Sequence, residues 1–88
     1  MLKHLPISAI KKVVFDPRHC QVEQFGKSKR GRRIRLSLNQ EIYHGLDPIS
    51  LTLEIGDRVR LIDTIGLSDL KKKAVRKILN NHNRHHQS

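Results

Sequence analysis

The stretch ISLTLEIGDRVRLID, residues 49–63, carries the clearest structural pattern in the chain. Aliphatic and polar residues alternate up to Gly56-Asp57, and a second β-rich segment follows that turn. Alternation with a period of two is typical of strands with one buried face, and a Gly-Asp pair between two such segments favours a tight turn. This stretch therefore predicts a β-hairpin.

The register of this hairpin can be predicted from its side chains. A two-residue turn at Gly56-Asp57 would pair Leu53 with Arg60 and would place arginines on the buried face. A loop of three residues, 56–58, pairs Leu53 with Leu61 instead. On the other face that loop places Glu54 opposite Arg60, two opposite charges. We therefore predict the three-residue loop.

The same patterns predict the other elements. Ser68 is a good helix N-cap, and an apolar stripe at helical spacing follows it, formed by Leu70, Ala74, Val75, Ile78 and Leu79. Residues 18–26 show no clear period and allow at most one helical turn, and residues 39–48 form a loop in which Ile42, Tyr43 and Leu46 pack back on the core. The predicted strands are residues 10–15, 33–38, 49–55 and 59–63, and the predicted helix is residues 68–80.

These elements predict an α+β fold, with a four-stranded mixed or antiparallel sheet covered on one face by the helix. Residues 1–80 would form a single compact domain, and residues 81–88 a flexible polar tail. With 88 residues and only 3% aromatic residues, the chain has room for one small aliphatic core.

The charge of the chain indicates a polyanionic partner. Lysine and arginine number 18 against 8 acidic residues, which gives a formal net charge of +10. So strong a basic excess on a small domain is typical of nucleic-acid-binding proteins.

The segment KSKRGRRIR, residues 27–35, concentrates six of these charges and contains no acid. We predict a basic arm that contacts RNA phosphates and becomes ordered on binding, although most charge runs are simply solvated loops. Arginine forks match phosphate geometry, so arginines should make most contacts and lysines should support them. The predicted RNA-binding residues of the arm are Arg30, Arg32, Arg33 and Arg35, with Lys27 and Lys29 in support.

The predicted C-terminal helix offers a second basic surface on the side opposite its apolar stripe. Its members are Lys72, Lys73, Arg76 and Lys77, which would either bind RNA or only confer solubility. No aromatic stacking platform is evident, since Phe15 is expected in the core and Tyr43 stands alone. Recognition is therefore expected to depend on RNA shape and phosphates rather than on bases.

The sequence offers little for enzyme chemistry. Cys20 and His19 are the only nucleophile and base that stand together, and neighbours on an extended segment point apart. Phosphate loops, paired carboxylates and nucleophile elbows are absent from the sequence. The histidines of the tail, His82, His85 and His86, lack the surroundings of a metal site. We expect no enzymatic activity, no cofactor, no metal, no small-molecule substrate and no membrane partner.

The arrangement of these segments resembles the thioredoxin-like mitochondrial ribosomal proteins. The resemblance is carried by IKKVVFDP near the start, by RLSL in the middle, and above all by residues 48–78, PISLTLEIGDRVRLIDTIGLSDLKKKAVRKI. It implies a small thioredoxin-like domain in which the family's first helix is contracted into residues 18–26. Cys20 lacks the partner of a redox pair, since Pro17 and Glu23 occupy the relevant places.

The resemblance further implies a structural component of the large ribosomal subunit in the mitochondrial matrix, in contact with ribosomal RNA and neighbouring ribosomal proteins. Residues 1–15 are compatible with a targeting segment, because they contain lysines and no acid. Two alternatives stay open. GDRVRLID also resembles a strand of small SH3-like RNA-binding barrels, and the hairpin edge could pair with another chain in a protein-interaction module such as a small regulator.

Overall fold

The computed structural model describes residues 6–15, 20–38 and 48–85 of the chain. The described residues form six elements: α1 (Ile7–Val14), β1 (Cys20–Ser28), β2 (Gly31–Leu38), β3 (Ser50–Ile55), β4 (Val59–Ile65) and α2 (Asp69–His85). The protein is therefore a small α+β fold with one four-stranded sheet and two helices. The predicted loop contacts of Ile42, Tyr43 and Leu46 lie outside the described residues.

The four strands form an antiparallel sheet in the order β1-β2-β3-β4. The β3–β4 hairpin has the predicted register, because Leu53 pairs with Leu61 and Glu54 with Arg60 across the loop 56–58. In the described part of the chain β1 and β4 do not pair, so the sheet is open and has two edges.

The two faces of this sheet differ in what covers them. On the core face, aliphatic side chains of β2, β3 and β4 pack with both helices in one cluster. Its fully buried strand residues are Leu36, Leu51, Leu53 and Val59. Alternate residues point to the other side, which we call the open face. The open face carries Arg33 and Arg35 of β2, Thr52 and Glu54 of β3, and Arg60 of β4.

Helix α2 begins as predicted and packs on the core face. The Ser68 hydroxyl accepts a hydrogen bond from the Lys71 backbone N–H at 3.3 Å, which caps the first turn. Val75 and Leu79 are buried in the core. The prediction for Leu70 is wrong, because this side chain is 79% exposed. At the first turn of the helix, the apolar side chain of Leu70 does not pack on the sheet.

Helix α2 also continues to His85, so residues 81–85 are helical rather than part of a flexible tail. The reason is a tertiary contact. The Asn83 side chain accepts a hydrogen bond from the Val59 backbone N–H at 2.9 Å and donates one to the Val59 carbonyl at 3.0 Å. This pair of bonds fastens the last turns of the helix to the start of β4.

The predicted strand at residues 10–15 is wrong, because residues 7–14 form helix α1. Ile7, Ile10 and Val14 recur at helical spacing, and Ile10 and Val14 are buried in the core. Pro6 does not interrupt the helix, since it occupies the N-cap position, where the missing N–H has no intrahelical partner to lose. The β-branched composition of IKKVVF was a weaker signal than this spacing.

The predicted contracted helix at residues 18–26 is also wrong, because residues 20–28 form the edge strand β1. Most of β1 is exposed, so its sequence lacks the strong alternation of a half-buried strand. A one-residue bulge interrupts its pairing: Gln24 pairs with Ile34 and Lys27 with Arg32. Phe25 and Gly26 together therefore face the single residue between these partners on β2.

Residues 27–35 do not form an arm in this structure. They form the end of β1, a two-residue turn at Lys29-Arg30 and the first half of β2. Strand β2 starts two residues before the predicted position, and both neighbouring strands pair with it. The backbone of this segment is thus ordered by sheet hydrogen bonds before any partner binds.

Candidate nucleic-acid interface

Two hairpin turns lie side by side at one end of the sheet. Gly31 follows the β1–β2 turn Lys29-Arg30, and the β3–β4 loop starts at Gly56. A Cβ atom added to Gly31 would overlap the backbone carbonyl of Ile55, and one added to Gly56 would overlap the carbonyl of Arg30. Only glycine allows this close approach, so these two residues bring the turns into direct backbone contact.

The contact gathers cations from two separate segments of the chain. We call this region the basic end and define it by its six exposed cationic side chains. They are Lys27, Lys29, Arg30 and Arg32 of the first hairpin and Arg58 and Arg60 of the second. They line an open groove of about 900 Å³, whose acidic lining residues are Glu54 and Asp57.

Glu54 lies beneath this groove and organises it. Its side chain is 4% exposed, its Oε2 accepts a hydrogen bond from the Ser28 hydroxyl at 2.9 Å, and the same oxygen lies 3.8 Å from Arg33 Nε. The bulge in β1 makes this possible, because the extra residue shifts Ser28 onto the open face. Among the described residues Glu54 Oε1 has no hydrogen-bond partner. The buried carboxylate thus ties β1, β2 and β3 together below the cations.

The predicted arginines divide into two groups. Arg30 and Arg32 lie at the basic end. Arg33 and Arg35 lie farther along the open face and have acidic partners, since Arg35 NH1 lies 3.4 Å from Glu23 Oε1. The supporting lysines, Lys27 and Lys29, are exposed at the basic end. The predicted set is therefore partly assembled into one surface and partly used within the sheet.

The sequence prediction missed Arg58 and Arg60 as members of this surface. Both residues were assigned to the correct hairpin. What the prediction lacked was β1, because only a continuous meander from β1 to β4 places the two turns at the same end of the sheet. The two glycines could have indicated this surface, since Gly31 and Gly56 each lie at a turn that also carries basic residues.

The four predicted basic residues of α2 do not line the groove of the basic end. Lys73, Arg76 and Lys77 are exposed, whereas Lys72 is half-buried, with Nζ 4.0 Å from Asp69 Oδ1. Asn83 is hydrogen-bonded to Val59, the first residue after the β3–β4 loop, so this part of the helix lies next to the hairpin turns. Lys77 lies six residues before Asn83, about 9 Å away along the helix axis. The helix therefore presents a second basic surface of its own.

Phe25 lies on the open face rather than in the predicted helical turn. The Arg35 guanidinium carbon stands 4.4 Å from the centroid of the Phe25 ring, within the range of a cation–π contact. The ring remains 40% exposed. The contact lies on the same strand as Lys27 and close to the bulge.

Other chemistry is weakly represented in the described residues. Burial raises the pKa of the Cys20 thiol, while the nearby charge of Lys11 and a backbone hydrogen bond from Ser37 act in the opposite direction. Its reactive thiolate form is thus disfavoured at neutral pH. Residues 6–15, 20–38 and 48–85 contain no group of three or more potential metal ligands, and no helix among them is long and apolar enough to cross a membrane. His86 lies outside the described residues.

Fold and surface together define a small α+β protein with an open antiparallel sheet and a basic end built from two adjacent hairpin turns. Comparison with known proteins adds no relative: family models, curated proteins and solved structures all give no match to this chain. Functional inference therefore rests on the surface itself.

Proposed function

We propose that this protein is a structural RNA-binding component of a ribonucleoprotein particle, with the basic end as its main contact to RNA phosphates. The observation that carries the proposal is the backbone contact of Gly31 and Gly56, which holds cations from two hairpins against one groove. Such an arrangement fixes cation spacing without a bound partner, so less conformational entropy is lost on binding.

The shape of the groove favours a polymer over a small ligand. It is open to solvent and lined mainly by charged and glycine residues, whereas small-molecule sites are mostly concave and apolar. Arginines predominate among its cations, and their planar forks suit phosphate oxygens. A phosphodiester backbone passing across the two turns would contact both hairpins at once.

The particle that we propose is the mitochondrial large ribosomal subunit, in the matrix, where the protein would contact ribosomal RNA and neighbouring ribosomal proteins. Its support is the resemblance of residues 48–78, which form β3, β4 and the start of α2 in this chain. The thioredoxin-like classification belongs to the same proposal and has less support. Residues 10–14 of the segment that resembles the family's first strand lie in α1, and β1 stands where its first helix would follow.

The proposed role is architectural rather than catalytic. The exposed side chains Ile62 and Ile65 on edge strand β4 suit contact with a neighbouring protein, since their exposed fractions are 44% and 51%. The raised pKa of Cys20 agrees with a non-catalytic thiol.

Salt-dependent binding tests the RNA contact. We would measure the affinity of the full chain for a labelled RNA stem-loop at several salt concentrations, before and after changing Arg30, Arg32 and Arg58 to glutamine. Each phosphate neutralised contributes about 0.9 to the slope of log affinity against log salt concentration for duplex regions. The triple variant should lose affinity by about 10- to 1,000-fold, and its slope should fall by about two to three.

A matched control separates a located site from total charge. Changing Lys73, Arg76 and Lys77 to glutamine removes the same three charges from α2. We expect a smaller loss of affinity than in the basic-end variant, because these residues do not share its groove. Equal losses in the two variants would mean that only net charge matters, and the proposed interface would be wrong.

The particle itself is tested by fractionation. A tagged protein should enter the matrix fraction and co-sediment with the large ribosomal subunit, and chelation of magnesium should release it as the particle unfolds. Sedimentation as a free, light protein outside mitochondria would reject the ribosomal proposal. RNA binding would then still be decided by the salt-dependent affinity measurement.

A further inference from the structure

We propose that Phe25 and Arg35 form a stacking platform for one unpaired base of the bound RNA. This inference rests on the proposed function and extends it, because it adds a contact to a base where the basic end contacts phosphates. The juxtaposition that carries it is a half-exposed ring held against a guanidinium on the open face, beside the basic end.

The ring and the guanidinium already form half of a stack. The Arg35 guanidinium carbon lies 4.4 Å from the ring centroid, and 40% of the Phe25 surface remains accessible. Unpaired RNA bases stack on aromatic rings and on arginine planes alike. A base stacked on the exposed part of the ring would extend the existing pair with no rearrangement of the sheet.

Two contacts hold the platform in place. Arg35 NH1 lies 3.4 Å from Glu23 Oε1, so the carboxylate orients the guanidinium from one side while the ring contacts it from another. Phe25 comes two residues after Glu23, before the bulge changes the facing of the chain, and therefore shares the open face with Glu23 and its cross-strand partner Arg35. The platform is thus a built feature of the edge strand rather than a mobile side chain.

The position of the platform suits a strand that also crosses the basic end. Phe25 lies opposite Arg33 on the open face, and the same cross-strand row continues through Glu54 to Arg60, a residue of the basic end. At about 4.8 Å per strand, three strand spacings separate Phe25 from Arg60 by about 14 Å. A phosphate bound by Arg60 would therefore leave the base of a nucleotide farther along the same RNA strand within reach of the ring. One ring provides one stack, so the inferred ligand is a single unpaired nucleotide next to a phosphate-bound segment.

The charged surroundings favour RNA over an apolar protein surface as the occupant. Arg33, Arg35 and Glu23 lie around the ring, with side chains that are 43%, 43% and 61% exposed. A protein surface that excludes water from the ring would have to bury these charged groups, which costs free energy. A stacked base leaves their outer atoms in water and brings phosphates close to the arginines.

The test compares a single-stranded probe with a duplex. A labelled oligouridine of about ten nucleotides and a blunt RNA duplex of the same length would be titrated with the wild-type chain and with Phe25→Leu. We expect Phe25→Leu to weaken single-strand binding by about 5- to 100-fold, since aromatic stacking on a base is worth that much. Duplex binding and the salt slope should change by less than about twofold.

Three further variants control the interpretation. Phe25→Tyr keeps an aromatic ring and should retain single-strand affinity. Val22→Ala removes an equally exposed apolar side chain, 44% accessible, from the same strand and should have no effect. Because the chain contains no tryptophan, Phe25→Trp introduces a single tryptophan whose emission should be quenched by the oligouridine but not by the duplex.

The outcomes separate this inference from the function on which it rests. If Phe25→Leu binds the single strand as tightly as the wild type, the platform is wrong, and salt-dependent binding to both probes still supports the basic end. If the wild type binds neither probe, the proposed RNA-binding function fails. Loss of affinity in Val22→Ala equal to that in Phe25→Leu would attribute the effect to disturbance of β1 and would also overturn the platform.

Discussion

The two faces of the sheet use the same strands for different purposes. On the core face, Leu51 and Leu53 are fully buried against the helices. On the open face, the residues between and after them, Thr52 and Glu54, are nearly as buried although they are polar. Glu54 is covered in part by Arg33 of the adjoining strand β2 and by Ser28 of β1, one strand farther away.

This difference shows how a small sheet can expose one face and still be ordered on it. Stability comes mainly from aliphatic burial on the core face, at about 25 cal/mol per Å² of apolar surface. Order on the open face comes from ion pairs, a hydroxyl–carboxylate hydrogen bond and a ring–guanidinium contact. Substitutions on the core face can therefore test folding, and substitutions on the open face can test RNA binding.

The largest expected effect comes from the core face. Leu53→Ala should lower the free energy of unfolding by about 4 kcal/mol, because a fully buried leucine leaves a cavity that the sheet cannot close. Urea unfolding followed by circular dichroism would measure the loss. As its counterpart, Thr52→Ala on the open face should cost about 1 kcal/mol or less. Similar losses for both would contradict the assignment of stability to the core face.

An intermediate effect is expected where the two hairpins meet. Gly31→Ala should lose about 3 kcal/mol, because its positive φ of 145° disfavours alanine and the new Cβ overlaps the Ile55 carbonyl. Gly26→Ala provides the control: its φ is similar, 149°, but nothing lies within 4 Å of an added Cβ. It should lose about 1 kcal/mol.

The same pair of variants also tests the basic end. Gly31→Ala should reduce RNA affinity more than Gly26→Ala does, measured at a temperature where both remain folded. If the two variants lose equal stability and equal affinity, the contact between the turns is not what assembles the cations.

The smallest effect is expected at Glu54. Glu54→Gln keeps an acceptor for the Ser28 hydroxyl and removes one negative charge from beneath the groove. Unfolding free energy should change by less than about 1 kcal/mol, since Arg33 is half-exposed. RNA affinity should rise by about two- to fivefold at low salt, as titration would show. A fall in affinity would indicate that Glu54 itself contacts the RNA.

The sequence predicted the second hairpin more accurately than the first, for physical reasons. Strand β3 is central and strictly alternating, and only one loop length avoids burying Arg60, so the register could be derived. Strand β1 is an exposed edge whose pairing requires a bulge at Phe25-Gly26. Neither exposure nor a bulge leaves a periodic apolar signal.

The helices were predicted unevenly for a similar reason. The start of α2 was derived from Ser68, a local cap. Its end at His85 depends on Asn83, whose partner Val59 lies 24 residues earlier. The helical spacing of Ile7, Ile10 and Val14 in α1 was present in the sequence, but β-branched residues favoured a strand.

The candidate site was predicted in composition but not in geometry. The basic segment 27–35 was recognised from its charge, and four of its six cations do lie at the basic end. That segment was expected to become ordered on binding, whereas it is paired in the sheet on both sides. The contributions of Arg58 and Arg60 depend on the contact between two turns, which no local pattern encodes.

The packing of α1 against α2 has a consequence for synthesis of the chain. Among the described elements α1 comes first in the chain and α2 last, and the two helices meet in one core cluster. While the chain is being translated, Ile10 and Val14 have no α2 to pack against, and the hydrophobic core cannot close. Folding should therefore be completed only after α2 has been synthesised, with a closure cost set by the length of chain between the two helices.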